Sequence, residues 1–438
     1  MAKLPFKNTE KMKNSRIVLI DGCRTPFLRS GTDYMDLMSY ELAQFAIKGL
    51  LNKTGIHPKH IDAVVMGTVI SNIRTSNVAR EAALAAGIPY TAPCHTVTMA
   101  CISANRAIAD AVYALMAGHA QVVVAGGVDT ASDTPIGYTK EMRKKLFKAQ
   151  KLKGTMDMLK FAATLRPQDF MPDKPAIAEF STNRTMGQDC EILASKYGVS
   201  RKEQDEFAVR SHQLAAQAAQ NGNLAAEMTP VAVPPTFMPI SADNGVRGDT
   251  TYEGVAKLNP AFDRQFGTIT AANASFLTDG AAAVLLTTEA KAQELGLTPK
   301  AVITDFAFTG QDLEEELLLG PAFATYKLLA QTGLSLDDID VFEFHEAFAG
   351  QILANLNCLA SDEFAQNRLG LPQAAGVIPM EKFNLWGGSL SIGHPFGATG
   401  ARLLTTAANR LHKENGKRAL LAACAAGAHG HAMLIERW

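Results

Sequence analysis

Four short stretches of this 438-residue chain hold residue types able to do covalent chemistry. In VTMACISANRAIADAVYALMAG (97–118), Cys101 stands where an apolar, strand-like pattern hands over to an alanine-rich helical one. A helix start offers unpaired N–H groups and a partial positive charge. A thiolate placed there is stabilised, so the pattern predicts a lowered thiol pKa. The plainer reading is a small buried hydrophobe, since free cysteine is often buried. EFHEAFAGQ puts His345 and Glu346 directly after DVFEF, a strand pattern. Strand ends of open α/β sheets are where ligands gather. In WGGSLSIGHPFGATGARLL, five glycines let the backbone turn tightly around His394, and Pro395 fixes the next φ. AACAAGAHGHAML places Cys424 at a strand end, ahead of small residues whose N–H groups can reach into a site. A nucleophilic thiol needs a base, which His394 can supply. Metal chemistry is not indicated: there is no HExxH, and a lone pair of histidines, His429 and His431, does not by itself make a site. The glycine runs match neither GxxxxGK[ST] nor GxGxxG after a strand, so no phosphate loop is predicted.

For these residues to meet, the chain must build a frame. RIVLIDGCRTPF, IDAVVMGTVI and QVVVAGGVDTAS read as buried strands. DLMSYELAQFAIKGLLNKTG and SNVAREAALAAG read as helices, the second capped by Ser76 or Asn77. Alternating strand and helix predicts an α/β class with parallel pairing. The plan then recurs: IDAVVMG (61–67) resembles IDVFEFHE (339–346). GATGARLLTTAANRLHKENGKRALLAACAAG likewise parallels the Cys101 helix with its following VVVAGG. The predicted division is an N-terminal half over 1–135 completed by 256–300, an inserted loop domain over 136–255, and a C-terminal half over 301–438. Proline and turn residues gather in the insertion, around a helix SRKEQDEFAVRSHQLAAQAAQNG with Ser200 and Glu203 as a capping box. Duplication would bring both cysteines and both histidines to a single cleft.

Composition narrows the function classes. With 47% hydrophobic and 19% charged residues the chain is ordinary globular material. A formal charge of −1 gives no global field for nucleic acid. Six scattered cysteines without a CxxC pair predict a reducing compartment rather than a disulfide framework. No apolar run predicts a membrane span, and no apolar signal core precedes Arg16. One segment departs from neutrality. Residues 140–166 carry nine Lys/Arg against two Asp/Glu, with Met142, Leu146, Leu152, Met156 and Leu159 at roughly helical spacing. Such a basic amphipathic helix can dock an anionic bilayer or a partner, or be a solvated face.

With these blocks in order, the chain resembles the thiolases over nearly its whole length: MACISANRA, TAANASFLTDGAAAV, HEAFAGQ with GGSLSIGHPFGATGAR, and CAAGAHGHAML. HEAFA, where ordinary thiolases have Asn for His345, together with the CAAG…GHAM ending, is similar to the β-subunit branch of the fatty-acid β-oxidation multienzyme complex (trifunctional enzyme). The resemblance implies a duplicated five-layered αβαβα fold and 3-ketoacyl-CoA thiolysis, by ping-pong chemistry. It makes Cys101 the nucleophile, His394 its base and Cys424 the acid toward the acetyl-CoA carbanion. His345 and His394 would bind the thioester oxygen, and the N–H groups of Cys101 and Ala426 would form a second oxyanion site. Ser275 would contact the pantetheine arm and Arg247 the nucleotide phosphates. Beyond CoA as substrate no cofactor or metal is implied. Expected partners are a second copy, at least as a dimer, and an enoyl-CoA hydratase/3-hydroxyacyl-CoA dehydrogenase α-subunit, with peripheral membrane contact through 140–166. The location implied is a bacterial cytoplasm or a mitochondrial matrix. Alternatives are a biosynthetic acetoacetyl-CoA thiolase, a ketoacyl-synthase-type enzyme and a non-catalytic subunit. Thiolases usually carry C-x-G-G-G, whereas here Ala426 and Ala428 stand at two glycine positions.

Overall fold

The computed structural model describes residues 16–438 apart from 174, 176 and 177; the N-terminal segment read for a targeting signal lies outside the described residues. The chain opens with strand β1 (Ile17–Arg24), helix α1 (Ser39–Thr54), β2 (Ala63–Gly67), α2 (Val78–Ala85), β3 (Cys94–Val97), α3 (Ser103–Met116) and β4 (Val122–Asp129). Of the two cap candidates for α2, Asn77 takes the role, accepting from the Arg80 N–H. The insertion holds α4 (Lys140–Ala149), α5 (Thr155–Ala163), α6 (Met186–Lys196) and α7 (Arg201–Gln220). Helix α7 carries the Ser200/Glu203 capping box. Then come β5 (Thr278–Thr288), β6 (Ala301–Gly310), α8 (Gly320–Thr332), β7 (Val341–Phe344), α9 (Ala349–Leu359), α10 (Thr399–Lys413), β8 (Arg418–Ala425) and β9 (His429–Arg437).

The nine strands run side by side in the order β7-β8-β9-β6-β1-β5-β4-β2-β3. Each half repeats one scheme. Strand β2 is parallel to β4 as β7 is to β8; β4 is antiparallel to β5 as β8 is to β9; β5 is antiparallel to β1 as β9 is to β6. Even a bulge is shared: the register slips between Leu19 and Asp21 in β1, and between Ile303 and Asp305 in β6. The halves join where Val18 pairs with Val302 and Leu19 with Ala301.

Three apolar clusters separate the layers. One lies between α1, α2 and the N-terminal strands, and one between α8, α9 and the C-terminal strands. The third is the shared middle layer, where α3 and α10 pack between the two sheet halves. These are five layers, helix–sheet–helix–sheet–helix. Side chains of β4 and β5 are buried along their whole length, as strands covered on both faces must be. In the middle layer α10 comes so close to α3 that a Cβ on Gly400 would lie 2.1 Å from Asn105 Oδ1.

The basic segment differs from the single helix read from its spacing. It is two short helices, α4 and α5, broken at 150–154. Its apolar residues do not share a buried face: Met142 is buried, while Leu146, Phe147, Met156, Met158 and Leu159 are exposed. Gly154, as the N-cap of α5 in extended backbone, marks the interruption. Among the described residues no helix is long and apolar enough to cross a membrane.

Candidate active site

Cys101 sits between β3 and α3, preceded by Ala100 in the left-handed region (φ 46°). That turn lifts the thiol out of the layer that α3 otherwise buries, and leaves Cys101 half-buried. His345 follows β7, its N–H bonded to the Ala422 carbonyl of β8 at 2.8 Å. His394 is held in the loop before α10, where its N–H donates to Thr278 Oγ1 at 3.0 Å. Gly393 before it takes φ 106°, a conformation L side chains rarely adopt. The Cys101 sulfur and one nitrogen each of His345 and His394 lie within 4.8 Å of one another. The two imidazoles stand 4.0 Å apart between ring centroids. Cys424, buried near the end of β8, lies close enough for Cys101 to add to the rise in its pKa.

Each histidine ring is tethered at Nδ1 and bare at Nε2. His394 Nδ1 meets Thr399 Oγ1 at 2.6 Å and His345 Nδ1 meets Ser389 Oγ at 2.9 Å. Both Nε2 atoms are buried without a hydrogen-bond partner. Such orphaned polar atoms are costly unless something fills the space beside them. Burial holds both imidazoles neutral. It pushes His394 down to about 3, with Arg402 adding to the effect. His345 is driven well below the usual range by burial first, then by His394 and Arg402.

The thiol corrects the sequence expectation. Burial pushes Cys101 up to about 11, although the N–H groups of Ala426 and Cys101 itself favour the thiolate. Asp129 adds to the rise. The helix start is present, but desolvation outweighs it. Resting Cys101 is therefore a thiol, and its proton leaves only as attack begins. Alkylation of the free enzyme with iodoacetamide should then accelerate about tenfold per pH unit at Cys101 up to roughly pH 10. A rate that levels off by pH 8, read by mass at that residue, would mean a preformed thiolate.

The β8–β9 turn settles the two alanines. Ala426 is absent from the residues of positive φ, so its N–H points at the Cys101 sulfur without strain. Ala428 takes φ 53°, a left-handed conformation costing about 1 kcal/mol in a residue with a Cβ. Glu179 of the insertion braces this turn by accepting the Gly427 N–H at 2.8 Å.

Further residues support the site, and Asp129 among them carries no sequence signal. Asp129, at the end of β4, accepts N–H bonds from Val69, Ile70 and Gly397, so it ties the N-terminal half to the His394 loop. Its pKa is raised to about 6 by burial. Glu346, next to His345, accepts from Ser211 Oγ, Asn384 Nδ2 and the Leu390 N–H, which fixes α7 against the glycine loop. Ser275 lies beside the cluster: its N–H donates to Ala347 O, and two residues on Leu277 bridges to His394. Arg247 is not in the cluster. It is exposed, its N–H bonded to His212 Nδ1, and Arg29 is near enough for the two cations to interact. Of the two late histidines, His431 is buried against Asn105 and Phe308, while His429 is partly exposed at the turn.

Comparison with known proteins places this geometry in context. The chain matches the thiolase N-terminal domain over residues 17–290 and the thiolase C-terminal domain over 297–437. It is 51% identical to the mitochondrial trifunctional enzyme subunit beta of Bos taurus, covering 99% of this chain and 90% of that protein. It is 49% identical to a probable 3-ketoacyl-CoA thiolase of Caenorhabditis elegans, covering 98% and 95%. Identity to a 3-ketoacyl-CoA thiolase of Pectobacterium atrosepticum is 44%, covering 97% of each. Among solved structures, an acetyl-CoA acetyltransferase of Bacillus anthracis superposes with a TM-score of 0.82 at 31% identity, covering 97% of this chain and 99% of that one. Human mitochondrial 3-ketoacyl-CoA thiolase in complex with CoA gives 0.81 at 28% identity, covering 97% and 98%.

Proposed function

This chain belongs to the thiolase family; it is an acyltransferase that cleaves 3-ketoacyl-CoA with CoA in fatty-acid β-oxidation, and we propose that Cys101, His345, His394 and Cys424 carry that reaction. The observation that supports this assignment is the juxtaposition of one thiol and two neutral imidazoles, each with a bare Nε2. As Cys101 attacks the 3-keto carbon, His394 Nε2 takes its proton. A neutral pair in a dry site needs no separated charge until the substrate oxygen begins to accept it. The N–H groups of Cys101 and Ala426 stabilise that oxygen. The Cα–Cβ bond then breaks, its electron pair passes to the acetyl-CoA enolate, and Cys424 protonates the carbon. His345 and the now protonated His394 hold the enolate oxygen. The shortened acyl group stays on Cys101 until a second CoA, deprotonated by the Cys424 thiolate, removes it, and His394 returns its proton to the departing Cys101 sulfur. CoA is the only non-protein molecule this sequence of steps requires, and Ser275 and Arg247 are its proposed contacts.

Trapping tests the reading. Acid-quenched enzyme given 3-ketoacyl-CoA should carry the shortened acyl mass on Cys101, and added CoA should discharge it. A chain that acts only as a scaffold would carry none.

The mitochondrial relatives are named as beta subunits of a trifunctional enzyme, so a partner subunit is expected here as well. We place its contact, a hydratase/dehydrogenase α-subunit, on the α4–α5 segment, with an anionic bilayer as a further surface. Phe147 and Leu159 are exposed, as are Lys148, Lys151 and Lys153 on the same segment, which supports that placement. Lys144 and Lys145 are committed to Glu141 and Asp169. Replacing Lys148, Lys151 and Lys153 by Glu should weaken co-elution with the α-subunit, or co-sedimentation with anionic vesicles, by tenfold or more. No change in either assay would make the segment a solvated face. A dimer or higher assembly, and a reducing matrix or bacterial cytoplasm, complete the reading.

A further inference from the structure

His345 can serve as an oxyanion donor only in the tautomer that carries its proton on Nε2, and its other nitrogen decides which tautomer is present. That nitrogen, Nδ1, faces Ser389 Oγ at 2.9 Å. The same hydroxyl oxygen lies 3.3 Å from Arg402 Nη2, which can only donate. Arg402 therefore occupies one lone pair of the hydroxyl. Among the described residues the single acceptor within reach of the serine proton is then His345 Nδ1. If Nδ1 carried the imidazole proton, the buried serine proton would have no acceptor and Nε2 would present a lone pair to the substrate oxygen. Arg402 is fixed in turn. It is fully buried on α10, and Glu343 Oε2 lies 3.7 Å from its Nη1. Glu343 and His345 are two residues apart along β7 and its continuation, so both face one side of the strand. The result is a chain of contacts running from Glu343 through Arg402 and Ser389 to His345.

We propose that Ser389, oriented by Arg402, is a positioning residue that holds His345 as the Nε2–H tautomer and fixes its ring toward the thioester oxygen. His394 has a different tether. Thr399 Oγ1 has the Pro395 carbonyl at 3.2 Å as an alternative acceptor, so it is free to accept from His394 Nδ1–H and leave Nε2 as a base. Two imidazoles 4.0 Å apart are thus set to opposite protonation patterns by their hydroxyl neighbours. This assignment rests on the reading of His345 as a contact to the thioester oxygen.

The test is a double-mutant cycle on the full chain. Ser389→Ala should lower kcat for thiolysis at least tenfold, with KM for 3-ketoacyl-CoA changed less than twofold. In the His345→Asn background, where an amide donates without a tautomer, Ser389→Ala should change kcat less than twofold. An equal loss in both backgrounds overturns the proposal, because the serine would then serve packing alone. His345→Ala checks the underlying reading separately: unchanged thiolysis there removes the role of His345 and this proposal with it, whereas impaired His345→Ala with additive Ser389→Ala removes only the proposal. Should Ser389→Ala fail to fold, nitrogen-15 spectra of histidine-labelled wild-type protein decide the matter. The His345 signal, identified by its loss in His345→Asn, should report a proton on Nε2, and a proton on Nδ1 overturns the proposal.

Discussion

Cys101→Ala will lose thiolytic turnover by at least about 10⁴-fold while keeping its fold. The size follows from the covalent mechanism: without the sulfur there is no acyl-enzyme, and residues that act as one unit lose nearly everything when one is removed. The fold survives because Cys101 is half-buried in a turn, and the helix behind it is held by Ile102, Ala104, Ala107 and Ile108 in the middle layer. The variant's circular dichroism and melting midpoint should match the wild type within a few degrees. Turnover of 3-ketoacyl-CoA within tenfold of wild type would end the assignment of this thiol as nucleophile.

Cys424→Ala separates the two halves of the reaction. Its thiol is buried and held protonated by desolvation, with Cys101 adding to the effect, so at neutral pH it rests in the form that the proposed acid role requires. Removing a positioned acid typically lowers a rate about 10²–10⁴-fold. The loss should fall on carbon–carbon cleavage. Transfer of an acyl group from a simple acyl-CoA to Cys101 involves no carbanion, so the variant should still show the acyl mass. A variant that neither cleaves nor acylates would point to collapse of the pocket instead.

The frame was legible in the sequence because hydrophobic periodicity is local. VVVAGGVD reads as a buried strand, and the likeness of IDAVVMG to IDVFEFHE announced the repeat that the shared bulges at 19–21 and 303–305 make concrete. Cys101, His345, His394 and Cys424 stood out because scarce residue types sat inside glycine and alanine punctuation. Ser389, Thr399, Asp129 and Arg402 did not. Each is an ordinary residue type with a role set by distant contacts, such as Asp129 bonding the N–H of Gly397. Two further points required coordinates. The thiol pKa depends on burial as well as on the helix start, and only the backbone tells that Ala428, not Ala426, bears the left-handed strain.

The matched registers show how unequally the two halves are equipped. Pairing through β2–β4–β5 and β7–β8–β9 sets Gly67 opposite His345 and Val128 opposite Cys424 as counterparts under the internal symmetry. The N-terminal half, which supplies Cys101, thus has no imidazole and no second thiol at these two places. A side chain is excluded sterically at the first: any Cβ at Gly67 would begin 2.5 Å from the backbone carbon of Ser103, at the foot of the helix that follows Cys101. Two like pieces therefore converge on a single cluster by unlike contributions: Cys101 comes from the first, His345, His394 and Cys424 from the second.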